Sequence, residues 1–401
     1  MHPVHRALGG LGWGRVIQVV PTRGWEIKMR RALSVVLLVV LVAGCQVATS
    51  PQSVTTSPAN GATEVSPATP VTVTVADGKL TQVAVTNAVG KQITGELSDD
   101  GHSWRATEPL GYGKSYTYTG TAIGADGKTV PVTGSFSTVK PTQLVDGTLN
   151  IGDDDTVGIA APIVLQFDDH VADKAAVERA LQVQTSVPTE GSWAWLSDDN
   201  GGSRVHWRSK DYLQPGAQVT VTAKLYGVNY GEGRWGQEDL RLHFTVGRSQ
   251  IVKADVTSHR MVVVRDGKVI MDFPASYGLG SDPNRVTRNG THVVMSKSPL
   301  YLMSNPAYGY VNFPSHWSVR ISNNGEFIHA NPETTGVQGS ANVTHGCVNL
   351  STANAKQYFD SAIFGDPVEV TRSNVAMSAA DGDIYDWSVS WDKWVSMSAR
   401  H

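Results

Sequence analysis

Two imidazoles precede Cys347 in the chain, His329 eighteen positions earlier and His345 two positions earlier. A thiol with an imidazole in reach is the smallest side-chain set for nucleophilic acyl transfer, because the imidazole can take the thiol proton and later return it. The same residue types allow two blander readings, a buried inert cysteine and a His/His/Cys zinc site. No fourth ligand or Cys-x-x-Cys spacing accompanies the trio, so neither a metal nor a cofactor is expected. The stretch opens with Gly325-Glu326-Phe327-Ile328, a short apolar strand that delivers His329. A Gly/Ser/Asn/Thr-rich loop follows, and then Thr344-His345-Gly346-Cys347-Val348-Asn349. Gly346 removes a side chain where a carbonyl would approach and lets backbone N–H groups face a developing oxyanion. Ser351 is expected to cap a helix whose Ala355, Tyr358, Phe359, Ala362 and Ile363 share one face, with Gly365 and Pro367 beyond its end. If the positive end of that helix points back at the sulfur, it lowers the thiol pKa.

The rest of the chain must position this stretch. At 401 residues it is too long for one core, and 40 glycines with frequent Thr and Val predict a mainly β protein of two to three domains. A net charge of -3 from 33 basic and 36 acidic side chains excludes nucleic acid as a partner class. The other cysteine, Cys45, lies three hundred residues from Cys347, so no disulfide framework is implied.

Residues 1–45 read as an export signal. Lys28, Arg30 and Arg31 precede an apolar run from Ala32 to Ala43 that ends in Leu41-Val42-Ala43-Gly44-Cys45. The run is shorter than the roughly 20 residues of a comfortable membrane span. Its ending resembles the lipobox of bacterial lipoproteins, which implies lipidation of Cys45, a membrane anchor and an extracytoplasmic location. An uncleaved anchor and a plain secretory signal are the alternatives. Residues 1–28 fit no targeting pattern, which makes Met29 the expected start. Residues 46–58, rich in Ser, Thr and Pro, read as a tether.

Two modules follow, at 59–140 and 141–249. Leu97-Ser98-Asp99-Asp100 leads to Trp104-Arg105 and Leu196-Ser197-Asp198-Asp199 to Trp207-Arg208, each tryptophan followed six residues later by a leucine, Leu110 or Leu213. A repeat of this length is a duplicated domain, and its short alternating segments suit immunoglobulin-like β-sandwiches. Trp104 and Trp207 are expected in the cores rather than on sugars, and Asp153-Asp154-Asp155 in a solvated turn rather than around calcium.

From residue 250 to 372 a new β-rich unit is expected. Asp266-Gly267 marks a hairpin, and Pro274–His292 and Pro299–Pro314 read as long loops, the second carrying Tyr301, Tyr308, Tyr310 and Phe313. The remaining 373–401 begins as a Ser/Asn/Ala linker and ends with Trp387, Trp391 and Trp394 at a spacing that places three indoles on one helical face.

His329, a spacer of fourteen residues, and then Thr344-His345-Gly346-Cys347-Val348-Asn349 resembles the signature of the L,D-transpeptidases. The resemblance covers about 251–372, and the lipobox, paired modules and Trp-rich tail are similar to multi-domain members. It implies that Cys347 is the nucleophile and His329 its general base in forming 3→3 cross-links between peptidoglycan stem peptides, through a thioester and with loss of D-alanine. It further implies that His345 and Asn349 support the cysteine loop, that Thr344 donates to substrate, that Tyr310 or Tyr308 assists the oxyanion, that the tail braces the catalytic domain, and that carbapenems acylate Cys347. The residue after the base histidine is Ala330 where relatives often have Ser, so only its backbone carbonyl could orient His329 from there. A carboxypeptidase acting on the same donor and a non-catalytic wall-binding lipoprotein are the competing readings.

Overall fold

The computed structural model describes residues 53–382 and 384–400; the lipobox and Cys45 lie outside them. Each repeat folds as two facing sheets. In the first module one sheet orders the strands Val54–Ser57, Thr72–Val75, Ser103–Ala106 and Gly95–Leu97, and the other Lys79–Asn87, Ser115–Ile123 and Thr129–Ser137. The second module repeats the first order with Gly147–Leu149, Ile163–Phe167, Arg204–Ser209 and Gly191–Trp195. Trp104 and Trp207 occupy the same place in the two rows, each over a glycine of the next strand, Gly95 or Gly191, where a Cβ would come within 2.0 Å of the ring. Both indoles are buried core. The tether is shorter than its composition suggests, because Val54–Ser57 pairs antiparallel with Thr72–Val75 and closes the first sheet.

In the triple-acid segment, Asp153 accepts from the His243 N–H and Asp155 from the Gly152 N–H, so two of the three carboxylates tie down a turn. The second module meets the unit at 250–372 through buried contacts. Arg248 grips the fully buried Asp366 with two 2.6 Å bonds, and a Cβ on Gly158 would lie 2.3 Å from the Asp366 nitrogen.

The unit at 250–372 is again two sheets around one core. The first orders Lys268–Pro274, Arg260–Arg265, Gln250–Asp255, Pro367–Thr371 and Gly290–Val293; the second orders Ser296–Asn305, Tyr310–Arg320, Phe327–Ala330 and Val348–Leu350. Asp266 and Gly267 take φ of 48 and 77 degrees, the left-handed pair that a two-residue hairpin needs. Ser351 caps the helix Thr352–Ser361, which buries Ala355 and Tyr358.

The passage around Pro299–Pro314, expected as a loop, is most of a long antiparallel hairpin closed by the 3-10 turn Pro306–Tyr308. Its prolines fit because Pro299 sits on the sheet's edge strand, and Pro314 lies before His316, where pairing with the next strand begins. The tail also departs from expectation. Residues 373–377 are not free linker, since Asn289 bonds the backbone of both Val375 and Met377. The three tryptophans do not share one helix: Trp387 belongs to the 3-10 turn Asp386–Ser388 and the others to Trp391–Val395, with Val389 extended between them. They nevertheless converge on Arg208 of the second module, whose guanidinium carbon lies 4.9, 5.2 and 4.9 Å from the three ring centres. Packing onto a buried cation, rather than a 3.6-residue repeat, explains their spacing, and the tail braces the second module as well as the unit at 250–372, which Arg288 ties to Asp381.

Candidate active site

Phe327–Ala330 runs parallel to Val348–Leu350, with His329 opposite Asn349. Alternation along a strand sends His329, Asn349 and, two residues before it, Cys347 to the same side. All three line one cleft of about 300 Å³, together with Thr344, His345, Tyr310, Met303, Phe313 and Glu333. The sequence-expected residues therefore come together, except that Gly346 and Tyr308 stand outside the cleft wall.

His329 is buried, and its Nδ1 lies 2.9 Å from the Ala330 carbonyl oxygen and 2.8 Å from Ser315 Oγ. A carbonyl only accepts, so Nδ1 carries the proton and Nε2 is left as the free base. Burial pulls His329 down to about 4, against the smaller upward pull of the Ala330 carbonyl. The ring is thus a neutral imidazole of fixed tautomer at ordinary pH.

Cys347 is half-buried on the cleft floor. Its thiol points to the Gly325 carbonyl at 3.6 Å and meets the Phe327 N–H. Desolvation pushes the thiol up to about 12, with Glu326 adding to the rise and Phe327 and Arg320 opposing it. The condition for a thiol lowered by the following helix is not met. Val348–Leu350 comes first, and three strand residues at about 3.3 Å each carry the helix end beyond the first turn's reach of the sulfur.

Two further expectations fail on hydrogen bonding. The Gly346 N–H is taken by Thr344 Oγ1 at 3.3 Å, so it does not face an oxyanion; glycine is required there by a φ of 114 degrees. The Thr344 hydroxyl donates to the Cys347 carbonyl at 2.7 Å, which makes it a brace of the cysteine loop rather than a donor to substrate. His345 lies against Tyr308 and Tyr310, with ring centres 4.9 and 5.6 Å away, and so couples the loop to the hairpin. Its pKa is lowered by burial and by Arg285, with Asp282 opposing. Asn349 holds the loop through its backbone, exchanging bonds with Ser276, while its buried Oδ1 has no partner among the described residues and remains an acceptor in the cleft. Tyr310, whose pKa is raised by burial and then by Cys347, takes a side-chain bond from Asn305.

Several contributors were not visible in the sequence. Ser315 reaches His329 across an antiparallel pair and is itself bonded by Ser318 at 3.0 Å. Arg285 donates to the carbonyls of Val343 and Thr344, and the Thr287 hydroxyl to that of Gly346, so the 274–292 passage is the floor of the cysteine loop. No residue type or spacing marks these contacts in advance.

A thiol, a base of fixed tautomer and a cleft are the parts of a cysteine acyltransferase. Family models for the L,D-transpeptidase catalytic domain and for a bacterial Ig domain match residues 249–370 and 62–229. The chain is 55% identical to L,D-transpeptidase 5 of Mycobacterium tuberculosis over 85% of its own length and 76% of that protein's. It is 36% identical to L,D-transpeptidase 2 of the same species over 86% and 85%. Among solved structures, an L,D-transpeptidase in complex with imipenem is 33% identical, with a TM-score of 0.48 covering 58% of this chain and all of that one. The chain belongs to the L,D-transpeptidase family.

Proposed function

We propose that this enzyme forms 3→3 peptidoglycan cross-links by cysteine acyl transfer. The observation that carries the reading is the shared cleft in which Cys347 faces the side of the strand pair that presents His329, with the His329 proton fixed on Nδ1. The thiol and the imidazole are both neutral at rest, so the proton passes from Sγ to Nε2 as sulfur attacks the carbonyl of the donor stem's third residue. The bond from that carbonyl to D-alanine breaks, His329 returns the proton to the leaving amine, and a thioester remains on Cys347. The side-chain amine of a second stem then attacks the thioester, loses a proton to His329 and leaves the free thiol. Tyr310 is the cleft's phenol nearest this chemistry and Asn349 Oδ1 its open acceptor for a substrate N–H.

Carbapenems, whose carbonyl imitates the donor's, would acylate the same sulfur. The lipobox supports an anchor: with Cys45 lipidated, the enzyme sits on the outer face of the cytoplasmic membrane and the sandwiches carry the cleft toward the wall. Intact-protein mass spectrometry with a carbapenem tests the reading. The native chain gains the mass of the drug and Cys347→Ala does not; an unmodified native chain rejects it.

A further inference from the structure

Against the cysteine loop, but outside the cleft wall, lies a carboxyl that acyl transfer does not use. Glu326 is 4% exposed. Its Oε1 accepts the Arg288 N–H at 2.7 Å, and its Oε2 lies 3.0 Å from the Ser322 hydroxyl, whose one proton is shared with Asn324 Oδ1. The remaining neighbour is His292, which has no exposed surface. His292 Nε2 lies 2.8 Å from the Arg288 carbonyl oxygen, and since a carbonyl only accepts, Nε2 carries the proton. Nδ1 has no hydrogen-bond partner among the described residues and faces Glu326 Oε2 at 3.7 Å.

A ring lone pair opposite an ionised carboxylate sets two acceptors against each other in a dry site, where each unmade bond is costly. One proton between them removes the conflict. It resides either on the carboxyl, giving a neutral pair, or on Nδ1, giving a buried ion pair that must overcome several kcal/mol of desolvation per ion. Burial favours the neutral pair, and it raises the Glu326 pKa despite the opposing pull of His292, Arg288 and Ser322. The Arg288 guanidinium is itself engaged by Asp381 at 2.8 Å.

Glu326 also stands between the two backbone groups that hold the sulfur, the Gly325 carbonyl and the Phe327 N–H. Its Cγ and the Val286 carbonyl oxygen are the atoms that a Cβ on Gly346 would meet first, each at 3.6 Å. A charge on Glu326 would oppose thiolate formation, while Arg320 on the neighbouring strand favours it. We propose that Glu326 is a positioning residue for Cys347, held as a neutral acid whose proton is directed at His292 Nδ1, so that it anchors the Gly325–Phe327 backbone on the sulfur without placing a negative charge beside it. The inference rests on Cys347 being the nucleophile.

Two measurements on the full chain test it. With 15N-labelled histidine, the His292 ring, identified by its loss in His292→Gln, should show one N–H at Nε2 and a lone pair at Nδ1 near neutral pH; a doubly protonated ring overturns the neutral pair. For carbapenem acylation, Glu326→Gln is neutral and can donate to Nδ1, so it should stay within about threefold of the native rate, whereas Glu326→Ala leaves the Arg288 N–H and His292 Nδ1 unpaired, Ser322 keeping Asn324, and should be slower by about tenfold or more. A glutamine variant as slow as the alanine one overturns the proposal. If the native chain takes up no carbapenem at all, the transpeptidase reading fails instead, and the His292 spectrum still decides where the proton lies.

Discussion

Raising the pH from about 6 to about 9 separates a neutral thiol–imidazole site from a preformed ion pair. With the Cys347 thiol pushed up to about 12, the thiolate fraction near pH 7 is on the order of one in 10⁵. It grows about tenfold with each pH unit across the whole interval. Iodoacetamide reports this directly, because alkylation follows the thiolate and adds a mass that can be counted on the intact chain. The logarithm of the rate should rise with a slope near one and reach no plateau. His329, at about 4, is already neutral throughout, so His329→Asn should leave that slope unchanged. Carbapenem acylation of the native chain should instead vary little over the same interval, since the base is fully available and its loss begins only as the pH falls toward about 4. An alkylation plateau beginning below neutrality, or one abolished by replacing His329, would reveal a thiolate–imidazolium pair and refute this reasoning.

Further outcomes follow from single contacts. His329 has a folded pKa of about 4 against an ordinary 6.5, so the unfolded chain binds its proton first as the pH falls; the stability present above 6.5 is lost down to about 4, a total of about 3 kcal/mol. Urea unfolding near the two ends of that window should show the loss in the native chain and a smaller one in His329→Asn. Ser315→Ala removes one of two bonds to Nδ1 while the Ala330 carbonyl still fixes the tautomer, so carbapenem acylation should slow by about five- to tenfold, the worth of about 1 kcal/mol, and not be abolished. Gly346→Ala has room for its Cβ but not the backbone conformation, and should lower the unfolding midpoint by the equivalent of about 1–2 kcal/mol and slow acylation. Trp394→Ala empties a fully buried site and removes a bond to the Ser192 carbonyl, so it should cost about 3–5 kcal/mol in denaturant unfolding and expose the tail to protease.

The chemistry was legible because its parts are neighbours on two short strands: a fixed spacer between His329 and Cys347 needs only parallel pairing to become a site. The repeat was legible for a similar reason, since Trp104 and Trp207 recur with their following leucines and the duplicated sheets place them alike. What escaped depends on contacts that spacing does not encode. Ser315 meets His329 only after an antiparallel register with an irregularity between His316 and Val319 is set. The thiol's high pKa comes from the walls of protein around it, whereas the local sequence showed only a helix start nearby. Periodicity placed three indoles on one face, but what gathers them is Arg208, some 180 residues earlier and recognisable only once the second sandwich is folded.

The central claim is acyl transfer from Cys347 to an amine, and incubating the purified chain with tetrapeptide stems tests it most directly. Mass spectrometry of the products should find free D-alanine together with a stem dimer joined through the third residues, both absent with Cys347→Ala. Free tripeptide with no dimer would make water the acceptor and the enzyme a carboxypeptidase, contradicting the account.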